Sequence, residues 1–91
     1  MAWVFRFSAS GEEQLLALNE TVARRIVKKL RSFCDSGKPL SFAKPLHGAF
    51  ADVYRFRIGD YRVLFTVAKD GGEIQIVLVI KVGHRRDVYD D

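Results

Sequence analysis

The sequence has 91 residues, enough for one small domain with a modest core. Hydrophobic residues make up 48% and charged residues 29%, which is typical of a globular protein and excludes a disordered one. The net charge of +4 favours a polyanionic partner without specifying which. No apolar run approaches the roughly 20 residues that a membrane helix needs. Because Arg6 interrupts the N-terminal apolar stretch, we expect no signal peptide.

Cysteine and histidine are too scarce for several kinds of site. Cys34 is the single cysteine, and His47 and His84 are the only histidines, so neither an intrachain disulfide nor a Cys/His metal cluster is expected. The sequence indicates no cofactor and fits a reducing, cytoplasmic setting. Residues 1–91 carry no internal repeat or linker and are interpreted as one domain.

The first third of the chain predicts a strand followed by two helices. Residues 2–7 are rich in aromatic side chains, which favours a strand. Ser10 and Glu13 have the spacing of a capping box, predicting a short helix that ends near Leu18. A second helix is expected over residues 22–35, capped by Thr21. Its apolar side chains recur with helical spacing at Val22, Ile26, Leu30 and Phe33.

The remainder predicts a loop and three strands. Residues 36–50 hold two prolines and two glycines and are expected to form a loop. Strands are predicted over 52–58, 61–68 and 73–82, the first two joined by a tight turn at Gly59-Asp60. The last strand is apolar on both faces, so we place it inside the sheet, with the N-terminal strand beside it.

These elements predict an α+β fold of order β-α-α-β-β-β. Its four-stranded, mostly antiparallel sheet would carry the helical hairpin on one face. The other face would be partly open and carry three arginines, Arg55, Arg57 and Arg62.

Two segments, residues 52–65 and 82–89, hold the side chains that could act in catalysis or in binding. The first supplies the arginines, and the second supplies arginine, histidine and tyrosine after the adjacent strand. A cationic cleft of this kind suits RNA cleavage by the RNA's own 2′-hydroxyl, which needs a base, an acid and phosphate-binding cations. The simpler alternatives are a solvated strand face for Arg55 and Arg57 and an ordinary loop position for His84. A basic run on the second helix faces either solvent or an acidic partner.

The two segments also carry a resemblance. They resemble the RelE/ParE toxin superfamily of bacterial toxin–antitoxin systems. The resemblance lies in Tyr54-Arg55-Phe56-Arg57, followed by Gly59-Asp60-Tyr61-Arg62-Val63-Leu64-Phe65, and in the later Val82-Gly83-His84-Arg85-Arg86-Asp87-Val88-Tyr89. The chain looks most like its RelE-type mRNA interferases, which implies the RelE-like microbial RNase fold along nearly the whole length.

The resemblance implies a reaction and partners. The reaction is metal-independent cleavage of mRNA in the ribosomal A site by 2′-OH attack, leaving a 2′,3′-cyclic phosphate and inhibiting translation. The partners are the ribosome with its mRNA and a RelB-like antitoxin, with operator DNA reached only through the antitoxin complex and no membrane. The residues implied are Arg62, Arg85 and Tyr89 for catalysis, and Arg55 and Arg57 for RNA phosphate. The residue chemistry of the second segment adds His84 as a catalytic candidate and Arg86 as a candidate for binding RNA phosphate.

One departure and two alternatives stay open. RelE-type proteins have lysines where this chain has Arg55 and Arg57, and arginine cannot act as a base. The proton transfer then falls to Tyr89 or His84. The alternatives are a ParE-like inhibitor of DNA gyrase, and a non-catalytic module that only pairs with an antitoxin and operator DNA.

Overall fold

The protein is described by a computed structural model that covers residues 2–48 and 51–88. Within these ranges, no helix is long and apolar enough to cross a bilayer. In chain order the elements are β1 (Ala2–Phe7), α1 (Ala9–Leu16), α2 (Glu20–Asp35), a 3₁₀ turn (Pro39–Phe42), β2 (Ala43–Pro45), β3 (Tyr54–Ile58), β4 (Tyr61–Lys69) and β5 (Ile74–His84).

The sheet has five strands, so the prediction of four is wrong. Their order is β1-β5-β4-β3-β2, with β1 parallel to β5 and every other pair antiparallel. The additional strand, β2, lies in the segment that was expected to be a loop. The three residues of β2, which ends at Pro45, are too few to show an alternating pattern. They form a strand because they pair with β3. The predictions that β5 lies inside the sheet and that β1 lies beside it are confirmed.

Both helices begin two residues or so before the positions that the sequence predicts. The Ser8 hydroxyl caps α1 by accepting the N–H of Gly11 at 3.0 Å, which places Ser10 inside the helix. The Asn19 side chain caps α2 by accepting the N–H of Thr21 at 2.8 Å. Serine, threonine and asparagine cap helices about equally well, so neighbouring candidates cannot be separated by residue type alone.

The main core lies between the helices and one face of the sheet. Ile26, Leu30 and Phe33 of the predicted α2 stripe are buried there against strand residues. Phe33 packs on Phe56 with ring centroids 4.6 Å apart, and Phe56 stacks on Phe65 at 4.3 Å. Cys34 lies in the same core, where burial, and then the neighbouring Asp35, raise the pKa of its thiol. Cys34 is thus a packed core side chain.

A bulge in β5 changes which side chains face the helices. Leu64 pairs with Lys81 and Phe65 with Val79, so Ile80 is an extra residue in β5. The bulge shifts the alternation by one residue, and Val82 therefore joins Val79 on the core face. The residues after the bulge lie on the face opposite to the one that strict alternation would give them.

Candidate functional site

The face of the sheet away from the helices is partly covered. Leu46, Leu64 and Val88 form a second, smaller buried cluster on it, against which Val53 and Ile80 pack. The covering residues come from the segment before β3 and from the turn after β5. The sequence predicted a partly open face but not which residues cover it, because neither segment shows a period that would indicate packing.

The three arginines predicted for this face differ in exposure. Arg55 and Arg62 are only 4% and 5% exposed, whereas Arg57 is exposed. Arg55 pairs in register with Lys44 on β2 and with Leu64 on β4, which places it beneath the second cluster. The expectation that all three arginines lie on an open surface is therefore wrong for Arg55 and Arg62.

Arg62 is fixed at the turn between β3 and β4. Its Nη1 donates to the carbonyl oxygens of Gly59 at 2.9 Å and Tyr61 at 3.0 Å. Arg57 lies directly opposite Arg62 across the two strands, on the same face. Like charges in this arrangement repel, and an anion between them relieves the repulsion. The pair therefore favours binding of a phosphate group.

The turn after β5, residues 85–88, brings a third arginine to the same end of the sheet. The Arg85 N–H donates to the carbonyl of Asp60 at 2.8 Å, and its Nε lies 3.9 Å from the Asp60 carboxylate. The N–H groups of Asp87 and Val88 both donate to the His84 carbonyl, at 2.8 and 3.1 Å. Arg85 and Arg62 thus meet at the β3–β4 turn. Tyr89, the predicted base, lies outside the described residues.

His84 lies on the other face of the sheet. It pairs with Tyr61, the two rings meeting edge to face with centroids 5.4 Å apart. Its Nδ1 accepts the N–H of Arg86, whose side chain is exposed. The bulge in β5 causes this placement, so the single cleft expected from the sequence does not include His84 beside the strand arginines.

The helices carry a separate apolar groove that the sequence analysis missed. Leu16 is 73% exposed and lines a groove of about 570 Å³ together with Leu15, Ala23 and Val27. Two adjacent leucines on a helix cannot both face one core, which is the signal that could have found it. The rim is formed by Glu20, Arg24, Lys28 and Arg31.

Comparison with known proteins identifies the family. Residues 5–89 match the family described as ParE toxin of type II toxin-antitoxin system, parDE. The chain therefore belongs to this family, within the RelE/ParE superfamily, as the sequence motifs predicted. It is a toxin of the type II toxin–antitoxin class.

Individual relatives agree with this assignment. Toxin RelG of Mycobacterium tuberculosis is 30% identical over 90 residues, which cover 98% of each chain. The RelBE2 toxin–antitoxin complex of the same organism matches with a TM-score of 0.76 at 23% identity, covering 93% of this chain and 100% of that chain. The archaeal RelE–RelB complex of Pyrococcus horikoshii matches with a TM-score of 0.67 at 26% identity, covering 93% of this chain and 97% of that one.

Proposed function

We propose that this toxin is a metal-independent endoribonuclease that cleaves mRNA in the ribosomal A site and so inhibits translation. The observation that carries the proposal is the meeting of Arg57, Arg62 and Arg85 at one end of the sheet. The similarity to Toxin RelG over 98% of the chain supports the role of a toxin.

The reaction needs three things from this site. A base removes the proton of the RNA 2′-hydroxyl, cations stabilise the charge on the phosphorane, and an acid protonates the departing 5′-oxygen. The attacking 2′-oxygen forms a bond to phosphorus as the bond to the 5′-oxygen breaks, which leaves a 2′,3′-cyclic phosphate. The substrate supplies its own nucleophile, and no metal is required.

The exposure of each arginine suggests its role. Arg57 and Arg85 are exposed and are proposed to contact the scissile phosphate, with Arg85 also stabilising the negative charge on the departing 5′-oxygen, which takes its proton from water. Arg62 is held by two carbonyls and adds charge from a fixed position behind Arg57. Arg86 is proposed to bind a neighbouring phosphate, and the buried Arg55 acts through its charge alone.

Tyr89 is proposed as the base toward the 2′-hydroxyl. Arginine keeps its proton in proteins, which excludes the strand cations from this role. His84 stays a second candidate from the sequence, but its place on the opposite face beside Tyr61 favours Tyr89.

A RelB-like antitoxin is the proposed partner, and the groove around Leu16 is its proposed docking site. The groove has an apolar base. Its rim carries Lys28 and Arg31 together with the Arg24–Glu20 ion pair, a net positive charge that suits an amphipathic helix with acidic flanks. The relative from Pyrococcus horikoshii was solved as a RelE–RelB complex. Operator DNA would be reached through the antitoxin.

The proposal is tested by mapping mRNA 5′ ends during controlled expression of the toxin. Cuts in register with codons that disappear in Arg57→Ala, but persist in the matched control Lys69→Ala, support the nuclease. Intact mRNA together with reduced gyrase supercoiling would instead favour the ParE-like alternative. Normal growth with neither effect would favour the non-catalytic module.

A further inference from the structure

Gly83 and Val88 fit together across the turn that follows β5. A Cβ atom built on Gly83 would lie 2.8 Å from Cγ2 of Val88, closer than real carbon atoms approach. The φ angle of Gly83 is not in the left-handed region, so the backbone conformation does not require glycine here. Space for the valine methyl is therefore the reason for glycine at this position.

Val88 cannot easily move away. It is 5% exposed and packs against Leu46 and Leu64 in the second cluster. Valine is stiff at χ1, so a methyl group added at position 83 cannot be avoided by a simple side-chain rotation. The backbone of Val88 is also held, because its N–H donates to the His84 carbonyl.

From this fit we infer that Gly83 and Val88 are positioning residues for Arg85. Gly83 pairs in register with Arg62, and the short turn that Val88 closes carries Arg85 to Asp60. The closed turn holds the Arg85 N–H on the Asp60 carbonyl. The effect of the Gly83–Val88 contact on cleavage rests on the proposed function, whereas its effect on the turn does not.

A methyl group at position 83 would displace Val88 and open this turn. The bond from the Arg85 N–H to the Asp60 carbonyl would weaken, and the guanidinium would lose its place beside the Asp60 carboxylate. A misplacement of about 1 Å near a reacting centre costs roughly 100-fold in rate. We therefore expect kcat for Gly83→Ala to fall about 100-fold while KM changes little, because Arg57 still binds phosphate.

The test compares Gly83→Ala, Val88→Ala and the double variant. Amide hydrogen exchange at residues 85, 87 and 88 reports the turn directly, and single-turnover cleavage on programmed ribosomes reports catalysis. Gly72→Ala is the matched control, since a Cβ there meets its nearest atom, in Asp70, at an ordinary 3.6 Å. Thermal unfolding of each variant separates a local opening from loss of the fold.

The expected result is faster exchange at all three amides in Gly83→Ala and substantial rescue in the double variant, where the shorter side chain at position 88 leaves room for the new methyl. Unchanged exchange in Gly83→Ala would overturn the inference, and so would a double variant whose defects simply add. If wild-type protein cuts no RNA, the proposed function fails, and the exchange data still decide whether this contact closes the turn. If exchange rises in Gly83→Ala but cleavage stays at the wild-type rate, the positioning role is contradicted.

Discussion

Arg57 and Arg62 lie directly opposite each other across β3 and β4, yet one is exposed and the other is 5% exposed. The difference arises at the β3–β4 turn, where the Arg62 guanidinium donates to the carbonyls of Gly59 and Tyr61. One arginine of the pair is thus part of the hairpin's structure, and the other faces solvent. This division of roles leads to the first two predictions.

An oxyanion is expected to bind at the pair and stabilise the fold. Sulfate or phosphate at ten times its dissociation constant should raise the free energy of unfolding by about 1.4 kcal/mol. The measurement is thermal unfolding in sulfate against chloride at equal ionic strength. Arg57→Ala should abolish the difference and Lys69→Ala should keep it. An equal sulfate effect in wild type and Arg57→Ala would contradict the anion site.

The two arginines should differ in their contribution to stability. Arg62→Ala removes the donor to two carbonyls at a buried position, and we expect a loss of about 2–3 kcal/mol in the free energy of unfolding. Arg57→Ala should cost less than Arg62→Ala, because the Arg57 side chain is exposed and solvent screens its interactions. Urea unfolding of both variants is the measurement. Equal losses would show that the hydrogen bonds of Arg62 do not stabilise the turn.

Removing the imidazole of His84 should leave cleavage intact. His84 packs edge to face on Tyr61, on the face opposite Arg57 and Arg62. The variant His84→Gln should therefore keep the wild-type rate within about threefold, with a pH–rate profile of unchanged shape. A variant that loses a pH-dependent limb of its rate profile would return His84 to the role of base.

The groove on the helices should govern antitoxin affinity without affecting cleavage. Leu16→Lys introduces a charge at a side chain that is already 73% exposed, so folding should be preserved. Binding of the cognate antitoxin, measured by calorimetry, should weaken at least about tenfold, because the lysine charge would be desolvated against the apolar face of the antitoxin helix. Leu40→Lys, an exposed leucine outside the groove, is the control. Equal affinities of the two variants would place the antitoxin elsewhere.

The sequence predicted the parts of the fold that depend on long patterns. The α2 stripe through Ile26, Leu30 and Phe33 repeats with helical spacing, and the three strands after residue 52 are bounded by clear turns. β2 escaped prediction because its three residues gain their order only from pairing with β3. Three residues are too few to show an alternating pattern, so nothing in the segment indicated this pairing.

The sequence named the candidate arginines but did not predict how they are arranged. Local motifs named Arg57, Arg62 and Arg85, and the structure brings these three to one end of the sheet. The burial of Arg62 and the placement of His84 depend on a turn and on a bulge at Ile80. Neither feature leaves a mark in the alternation of residue types, so both arise only from the tertiary structure.

We propose above all that the arginines at the β3–β4 turn promote cleavage of ribosome-bound mRNA by its own 2′-hydroxyl. The most direct measurement uses purified toxin, ribosomes stalled on a defined mRNA, and analysis of the new 3′ ends, with Arg57→Ala and Lys69→Ala in parallel. Replacing the 2′-hydroxyl at the cut site by hydrogen supplies a substrate control. Wild type and Lys69→Ala should leave 2′,3′-cyclic phosphate ends at A-site codons. Arg57→Ala should cut at a rate lower by about 50-fold or more, and the deoxy substrate should not be cut. Ends bearing a 5′-phosphate, cleavage of the deoxy substrate, or undiminished activity of Arg57→Ala would contradict it.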